Sequence, residues 1–69
     1  MKVKITDEMG NNKEKEIKID TIKLNDLLNQ LGIDPFKAIT MRRGEIIMES
    51  DVLTNEDEIK IINIIHGGK

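Results

Sequence analysis

The sequence contains no cysteine, tryptophan or tyrosine, and its only aromatic residue is Phe36. Without cysteine, the chain can form no disulfide framework, no zinc–thiolate cluster and no thiol nucleophile. Without aromatic side chains, it offers no platform on which bases of a nucleic acid could stack. These absences exclude cysteine-based chemistry and argue against a nucleic-acid partner.

Charge of one sign and long apolar runs are also lacking. Lys and Arg number 11 against 13 Asp and Glu, which gives a net charge of −2 and no general attraction to nucleic acid or an anionic membrane. No apolar run has the length of a signal peptide or a membrane span, so we expect a cytoplasmic protein without a membrane partner. The 69 residues predict one small domain with no room for a deep catalytic cleft.

Two segments near the start alternate apolar and polar residues, which is typical of strands with one buried face. They span residues 1–6 and 15–19, and the Gly and Asn residues between them favour a turn. The sequence therefore predicts a β-hairpin. Its inward-facing residues are Met1, Val3, Ile5, Ile17 and Ile19.

A helical period follows the hairpin. Four leucines at positions 24, 27, 28 and 31 fall on one stripe of an α-helix, which predicts core packing. Thr21, Lys23 and Asn25 all lie near the start of the helix, and Thr21 is the best candidate for the N-cap by its chemistry. Gly32 can take the left-handed conformation that ends a helix, and Asp34-Pro35 prevents the helix from resuming.

Alternation returns after Phe36. Segments 37–42 and 45–48 are separated by Arg43-Gly44, which predicts a second hairpin with the two arginines 42 and 43 exposed at its tip. Residues 50–58 are polar apart from Val52 and Leu53, so we expect an irregular connection held by these two side chains. Within it, Glu56-Asp57-Glu58 predicts a solvated acidic turn.

The last predicted strand covers residues 59–65. Side chains alternate along a strand, so Ile59 and Ile61 face the core, whereas Ile62 and Ile64 face away from the helix. Two interpretations stay open for the latter pair. They form an exposed apolar patch of the kind that marks a partner surface, or both faces of a central strand are partly covered.

Residues 66–69 are predicted to form a flexible tail. Gly67 and Gly68 have no Cβ, so this backbone could enter a slot too narrow for side chains. Three extended residues would reach about 10 Å beyond the sheet. The tail is either a frayed chain end or an arm that delivers the terminus to another protein's active site. His66 stands without a second histidine or a cysteine, so we expect it to orient the tail and bind no metal.

One amphipathic helix among hairpin-linked strands favours an α+β fold in which a mixed sheet of about five strands wraps over the helix. A parallel first and last strand at the sheet centre would explain why the last strand is the most apolar. The sequence therefore predicts a β-grasp, or ubiquitin-like, domain over residues 1–65, followed by the tail.

Three stretches together resemble the ThiS/MoaD family of ubiquitin-like sulfur carrier proteins, and the similarity covers nearly the whole chain. They are LNDLLNQLGI at 24–33, MRRGEII at 41–47 and VLTNEDEIKII at 52–62, followed by the Gly-Gly pair. The resemblance implies that an E1-like adenylyltransferase adenylates the carboxylate of Gly68 with ATP and that sulfur then displaces AMP.

The resulting thiocarboxylate would serve a sulfur-accepting synthase in thiamine or molybdopterin biosynthesis. The chain would then be a cosubstrate and not an enzyme, with no catalytic residue and no bound cofactor of its own. The ATP belongs to the activating partner. For the surface that meets these partners, we predict Ile62, Ile64 and Arg42.

Lys69 departs from the family pattern, because it turns the Gly68 carbonyl into a peptide amide that cannot be adenylated. Either a protease removes Lys69, or Lys69 is foreign to the functional protein, or the carrier role is lost. Two other functions fit the same residues. One is a ubiquitin-like modifier that Gly68 joins to lysines of target proteins, and the other is an interaction module without tail chemistry.

Overall fold

The computed structural model describes residues 1–7 and 9–64, and this part of the chain forms seven strands, one α-helix and one turn of 3₁₀ helix. The strands are β1 (Lys2–Thr6), β2 (Asn12–Glu16), β3 (Thr21–Lys23), β4 (Ala38–Arg42), β5 (Glu45–Ile46), β6 (Val52–Thr54) and β7 (Glu58–Asn63). The helix α1 covers Leu24–Leu31, and the 3₁₀ turn covers Pro35–Lys37.

Five strands form a mixed sheet in the order β2-β1-β7-β4-β5. The first and last strands, β1 and β7, are parallel neighbours at its centre, with Val3 opposite Ile59 and Ile5 opposite Ile61. The other pairs in this sheet are antiparallel. A mixed five-stranded sheet with one helix is a β-grasp-like fold, which confirms the predicted architecture.

The core lies between α1 and one face of the sheet, which we call the inner face. Apolar residues recur every second position in β1 and β7 and every third or fourth position in α1, so both elements direct one apolar side at each other. The buried residues are Met1, Val3, Leu24, Leu27, Leu28, Leu53, Ile59 and Ile61. The predicted inward faces of the first strand, the helix and the last strand are thus confirmed.

Strand β2 lies earlier in the sequence than predicted. It covers Asn12–Glu16 instead of 15–19, because Glu16 is already opposite Lys2, at the start of β1, and leaves the next residues no strand to pair with. The Ile17 N–H still donates to the Met1 carbonyl at 2.8 Å. Ile17 and Ile19 pack against the core from beyond the strand, so their inward orientation was right.

The predicted N-cap of α1 was wrong. Thr21 lies in β3, opposite Thr54, and the cap position is Lys23, whose side chain makes no capping bond. The first helical N–H groups are satisfied from elsewhere, since Leu24 donates to the Asp51 carbonyl at 2.9 Å. At the other end, Gly32 has φ 73°, the predicted left-handed conformation.

The segment predicted as an irregular connection contains β6. This strand pairs with β3 in a separate two-stranded sheet, with Leu53 opposite Ile22. Leu53 is buried as expected, whereas Val52 is exposed and does not hold the connection down. Three-residue strands are too short to show a period-2 pattern, which is why the alternation did not reveal them.

The second hairpin turns where predicted. Arg43 and Gly44 both have positive φ, 56° and 79°, as a two-residue hairpin turn with the favoured twist requires. The returning strand β5 is shorter than predicted and ends at Ile46. Strand β7 ends at Asn63, and Ile65, the last residue of the predicted strand, lies outside the described residues.

Candidate functional site

The face of the sheet opposite α1, which we call the outer face, carries a group of apolar side chains. Ile62 on β7 is opposite Ile39 on β4, and Met41 is opposite Ile46 on β5. These residues alternate with the inner-face residues Ile61 and Thr40, so they project away from the helix. Together with Ile64, they form the outer apolar patch, which consists of Ile39, Met41, Ile46, Ile62 and Ile64.

Exposure within the outer apolar patch is uneven. Ile46 is 64% exposed and Ile64 is 41% exposed, whereas Ile62 is half-buried between its neighbours. The sequence left open whether Ile62 and Ile64 are exposed or partly covered. Each interpretation describes part of the patch, since its rim is exposed and its centre is partly covered. Exposed apolar side chains that share one face of a sheet are typical of a site where another protein docks.

Sequence reasoning found Ile62 and Ile64 but missed the three members from β4 and β5. The signal was present, because Ile39 and Met41 alternate with polar residues. Placing them beside Ile62 requires the antiparallel pairing of β4 with β7, a contact between residues more than 20 positions apart. Periodicity along one segment carries no information about which strand lies next to it.

Arg42 lies away from the outer apolar patch. It is opposite Ile59, an inner-face residue, and its side chain is 29% exposed. Its Nη1 donates to Asp57 Oδ2 at 3.2 Å and to the Val52 carbonyl at 3.1 Å. The structure thus gives Arg42 a role within the fold, and the predicted role at a partner surface stays a prediction. Because the side chain is half-buried, the expected exposure of Arg42 at the hairpin tip was wrong.

The acidic turn before β7 is held from inside the molecule. Asp57 Oδ2 accepts the Thr54 N–H at 2.8 Å, and the Asp57 N–H donates back to the Thr54 carbonyl at 3.0 Å. The hydrogen bond from Thr54 lowers the pKa of the Asp57 carboxyl group, partial burial opposes this shift, and the charge of Arg42 adds to the lowering. The carboxylate therefore links the β6–β7 turn to the end of β4.

Replacing Asp57 with Asn is expected to destabilise the fold at neutral pH by about 1–2 kcal/mol, because a charge-assisted pair becomes a neutral one. For a domain of this size, each kcal/mol lowers Tm by about 4–8 °C. The lowered pKa stabilises the folded state above the ordinary carboxyl pKa of about 3.9, and this contribution disappears as pH falls through the lowered value. Thermal melts from pH 7 to pH 2 should show the difference shrinking below pH 4.

Glu56→Gln is the matched control for this prediction. It removes one negative charge at the neighbouring position, where the side chain is exposed. We expect a change in stability within about 0.5 kcal/mol, as for most surface substitutions. Equal losses for the two variants, or a loss for Asp57→Asn that persists at pH 2, would contradict the assigned role of the carboxylate.

The Asp7 carboxylate is a second acidic group with a lowered pKa. The Asn11 N–H is the largest cause, and the Met9 N–H also contributes. Asp7 Oδ1 accepts these bonds at 2.8 and 2.9 Å, so it closes the turn between β1 and β2. Both lowered pKa values thus arise from turns and not from a cluster of reactive groups.

The predicted sulfur-attachment residue Gly68 and the tail residues Gly67 and His66 lie outside the described residues, as does Lys69. The position of Ile64, two residues before His66, is defined by a hydrogen bond. The N–H of Ile64 donates to the Lys37 carbonyl at 3.0 Å, which holds the residue after β7 beside the 3₁₀ turn. Ile64 is also a member of the outer apolar patch, so the patch reaches a residue two positions before His66, the first residue of the predicted tail.

Residues 1–7 and 9–64 contain no group of three or more His, Cys, Asp or Glu side chains that could hold a metal ion. In the same part of the chain, no helix has the length and apolar character needed to cross a membrane. No protein-family model matches the sequence.

Proposed function

We propose that this chain is a sulfur carrier of the ThiS/MoaD type, with Gly68 as the residue that carries sulfur after removal of Lys69. The observation that supports the proposal most is the β-grasp-like sheet in which β7, the strand leading to the Gly-Gly pair, is paired on both sides. A tail attached to the central strand of a rigid sheet has a fixed starting point. This arrangement suits a terminus that must be presented to other proteins.

The chemistry needs a free carboxylate and little else from the carrier. The Gly68 carboxylate attacks the α-phosphorus of ATP, pyrophosphate leaves, and an acyl adenylate forms. A hydrosulfide-equivalent nucleophile then attacks the acyl carbon and AMP leaves, which yields the thiocarboxylate. Glycine favours both steps because its α-carbon carries no side chain to obstruct the approaching groups. The activating enzyme supplies the nucleotide site and the stabilisation of charge.

In this proposal, the outer apolar patch docks the E1-like adenylyltransferase. Ile64 lies at the edge of the patch and two positions before His66, the first residue of the tail in the sequence. A partner that covers this edge would therefore receive the tail next to its docking site. Burial of apolar side chains would supply the affinity, and the extended tail would bridge the remaining distance to the active site.

The carrier would hand its sulfur to a synthase of the thiamine or molybdopterin type, and the chain would act as a cosubstrate and not as an enzyme. Because the reacting group lies in the tail and the docking surface lies on the sheet, the adenylyltransferase and the synthase could bind the same carrier one after the other. The surface of the synthase, and not this chain, would then decide which pathway receives the sulfur.

The intact mass of the protein recovered from its own cells tests the proposal. We expect a species that lacks Lys69 and has one terminal oxygen replaced by sulfur. Heavier conjugates, in which Gly68 is joined to lysines of other proteins, would instead support the ubiquitin-like modifier. A mass that retains Lys69 under every sulfur supply tested, without conjugates, would overturn both functions and leave the interaction module.

A further inference from the structure

Two lysines lie side by side on the outer face of the central strands. Lys4 on β1 is the register partner of Lys60 on β7, and both side chains are exposed. Neighbouring strands are about 4.7–4.9 Å apart, so the two lysine side chains project from adjacent positions on the sheet. Two like charges at this spacing repel each other, and the fold gains no stability from the pair. We call Lys4 and Lys60 the lysine pair.

The nearest carboxylates on this face are already engaged with other cations. Lys2 Nζ lies 3.8 Å from Glu14 Oε2 and 3.6 Å from Glu58 Oε2. Glu16 pairs with the Met1 amino group at 3.2 Å. Among the described residues, neither member of the lysine pair makes an ion pair. Glu14 is the register partner of Lys4 on β2, but its carboxylate lies 3.8 Å from Lys2 Nζ and makes no ion pair with Lys4. The lysine pair therefore keeps positive charge that a ligand from outside the domain could neutralise.

The lysine pair adjoins the outer apolar patch. Both lysines line a shallow groove of about 330 Å³ together with Met41, a member of that patch, and Arg43 from the β4–β5 turn. Glu58 also lines this groove, but its carboxylate is the one held by Lys2. The site thus combines unpaired positive charge with an apolar surface directly beside it.

We propose that the lysine pair and the adjoining outer apolar patch dock an acidic segment of a partner protein. Carboxylates of the partner would lie against Lys4 and Lys60, and an apolar side chain would lie against Met41. Complementary charge of this kind steers association and fixes the register of a complex. In the free protein, solvent and the Glu14 carboxylate, which is on the register partner of Lys4, moderate the repulsion within the pair, and a negative group from a partner would relieve it further.

The surroundings favour a protein over other anions. The N–H groups of β1 and β7 are committed to the sheet ladder, so no converging backbone donors complete a pocket for free phosphate. A nucleic acid would meet a chain with net charge −2 and a single aromatic residue, and its backbone would gain nothing from the apolar neighbours. An acidic peptide that also carries leucines uses both parts of the site.

This inference extends the proposed function by naming the chemistry of the partner's surface. It rests on the proposed function where the partner is the adenylyltransferase. Docking itself needs neither ATP nor a free Gly68 carboxylate. The two ideas can therefore fail separately. A carrier that forms the thiocarboxylate without using the lysine pair is one outcome, and an interaction module that uses the pair without sulfur chemistry is another.

The test is a titration of the isotope-labelled full chain, followed by NMR, with a peptide in which Glu and Leu alternate. We expect the amide signals of Lys4, Met41 and Lys60 to shift most, with weaker binding as salt is raised. Lys60→Glu should weaken binding about tenfold. Its Tm should equal or exceed that of the wild type, because the carboxylate introduced at position 60 would attract Lys4, so lost binding could not be attributed to unfolding.

Lys18→Glu is the matched control, since it makes the same charge change at an exposed position outside the strands. It should leave the affinity for the peptide within about twofold of the wild type. The proposal is overturned if this control weakens binding as much as Lys60→Glu, or if a peptide with Gln in place of Glu binds equally well. Tighter binding of inorganic phosphate or of a single-stranded oligonucleotide at the same residues would also overturn it.

Discussion

Under the proposed function, a chain that ends at His66 should lose adenylation by the E1-like adenylyltransferase by on the order of 100-fold or more, whereas a chain that ends at Gly68 should be fully active. The shorter chain presents a branched α-carbon at its terminus, and it is two residues shorter, which is about 7 Å of reach for a chain that extends fully. Both changes misplace the acyl carbon relative to ATP. ATP–pyrophosphate exchange measures the loss, and the intact mass shows whether a thiocarboxylate forms.

The two truncated chains should have the same Tm, because every buried core residue of the described part precedes Asn63. The full chain ending at Lys69 is the second comparison. With purified adenylyltransferase and no protease, it should show no exchange, since its Gly68 carbonyl is an amide. Full activity of the chain ending at Lys69, or of the chain ending at His66, would remove the basis for assigning sulfur attachment to Gly68.

The sequence predicted the architecture because its signals are local. The leucine stripe of α1 and the isoleucines of β7 each repeat with the period of one element, and the apolar content of β7 places that strand at the sheet centre. Gly32, after α1, and Gly44, in the β4–β5 turn, lie at positions where the backbone has positive φ, which glycine adopts easily. In each of these cases, the residue's own conformational preference agrees with the fold.

The errors all concern contacts between distant segments. The offset of β2 depends on where β1 begins, and the β3–β6 sheet depends on two strands that are too short to show alternation. Arg42 was expected to be exposed at the hairpin tip, but its register partner is Ile59, so it points to the inner face, where its half-buried side chain binds Asp57. Alternation along β4 places Arg42 and Met41 on opposite faces of the sheet. Only the pairing of β4 with β7 shows that Arg42 lies on the face opposite Ile62.

The candidate site is divided in the same way. Its apolar members on β7 follow from alternation, whereas the lysine pair emerges only from the parallel register of β1 with β7. The tail chemistry rests on resemblance to a family and on the small size of glycine. The periodicity of the chain does not predict an acyl adenylate, because in the proposed function that step takes place in the partner's active site.

Substituting Ile61 and Ile62 separately by Ala should distinguish the fold from the docking surface at two adjacent positions. Ile61 is fully buried and has Ile5 and Thr40 as its register partners, so Ile61→Ala should cost about 2–5 kcal/mol. A 69-residue domain has a total stability of roughly 3–10 kcal/mol, so this substitution should remove a large part of it. Urea denaturation should show a lower midpoint with an unchanged slope.

Ile62→Ala removes a half-buried side chain from the outer face, and we expect it to cost about 1 kcal/mol and to leave the protein folded. If the outer apolar patch docks the adenylyltransferase, this variant should instead raise the KM for the carrier by about tenfold while kcat changes little, since only docking is weakened. A stable Ile61→Ala variant beside an unfolded Ile62→Ala variant would mean that the two faces of β7 are assigned the wrong way round. An Ile62→Ala variant that folds and keeps the wild-type KM would remove the patch from the docking surface, because the side chain lost at position 62 would then have had no partner to contact.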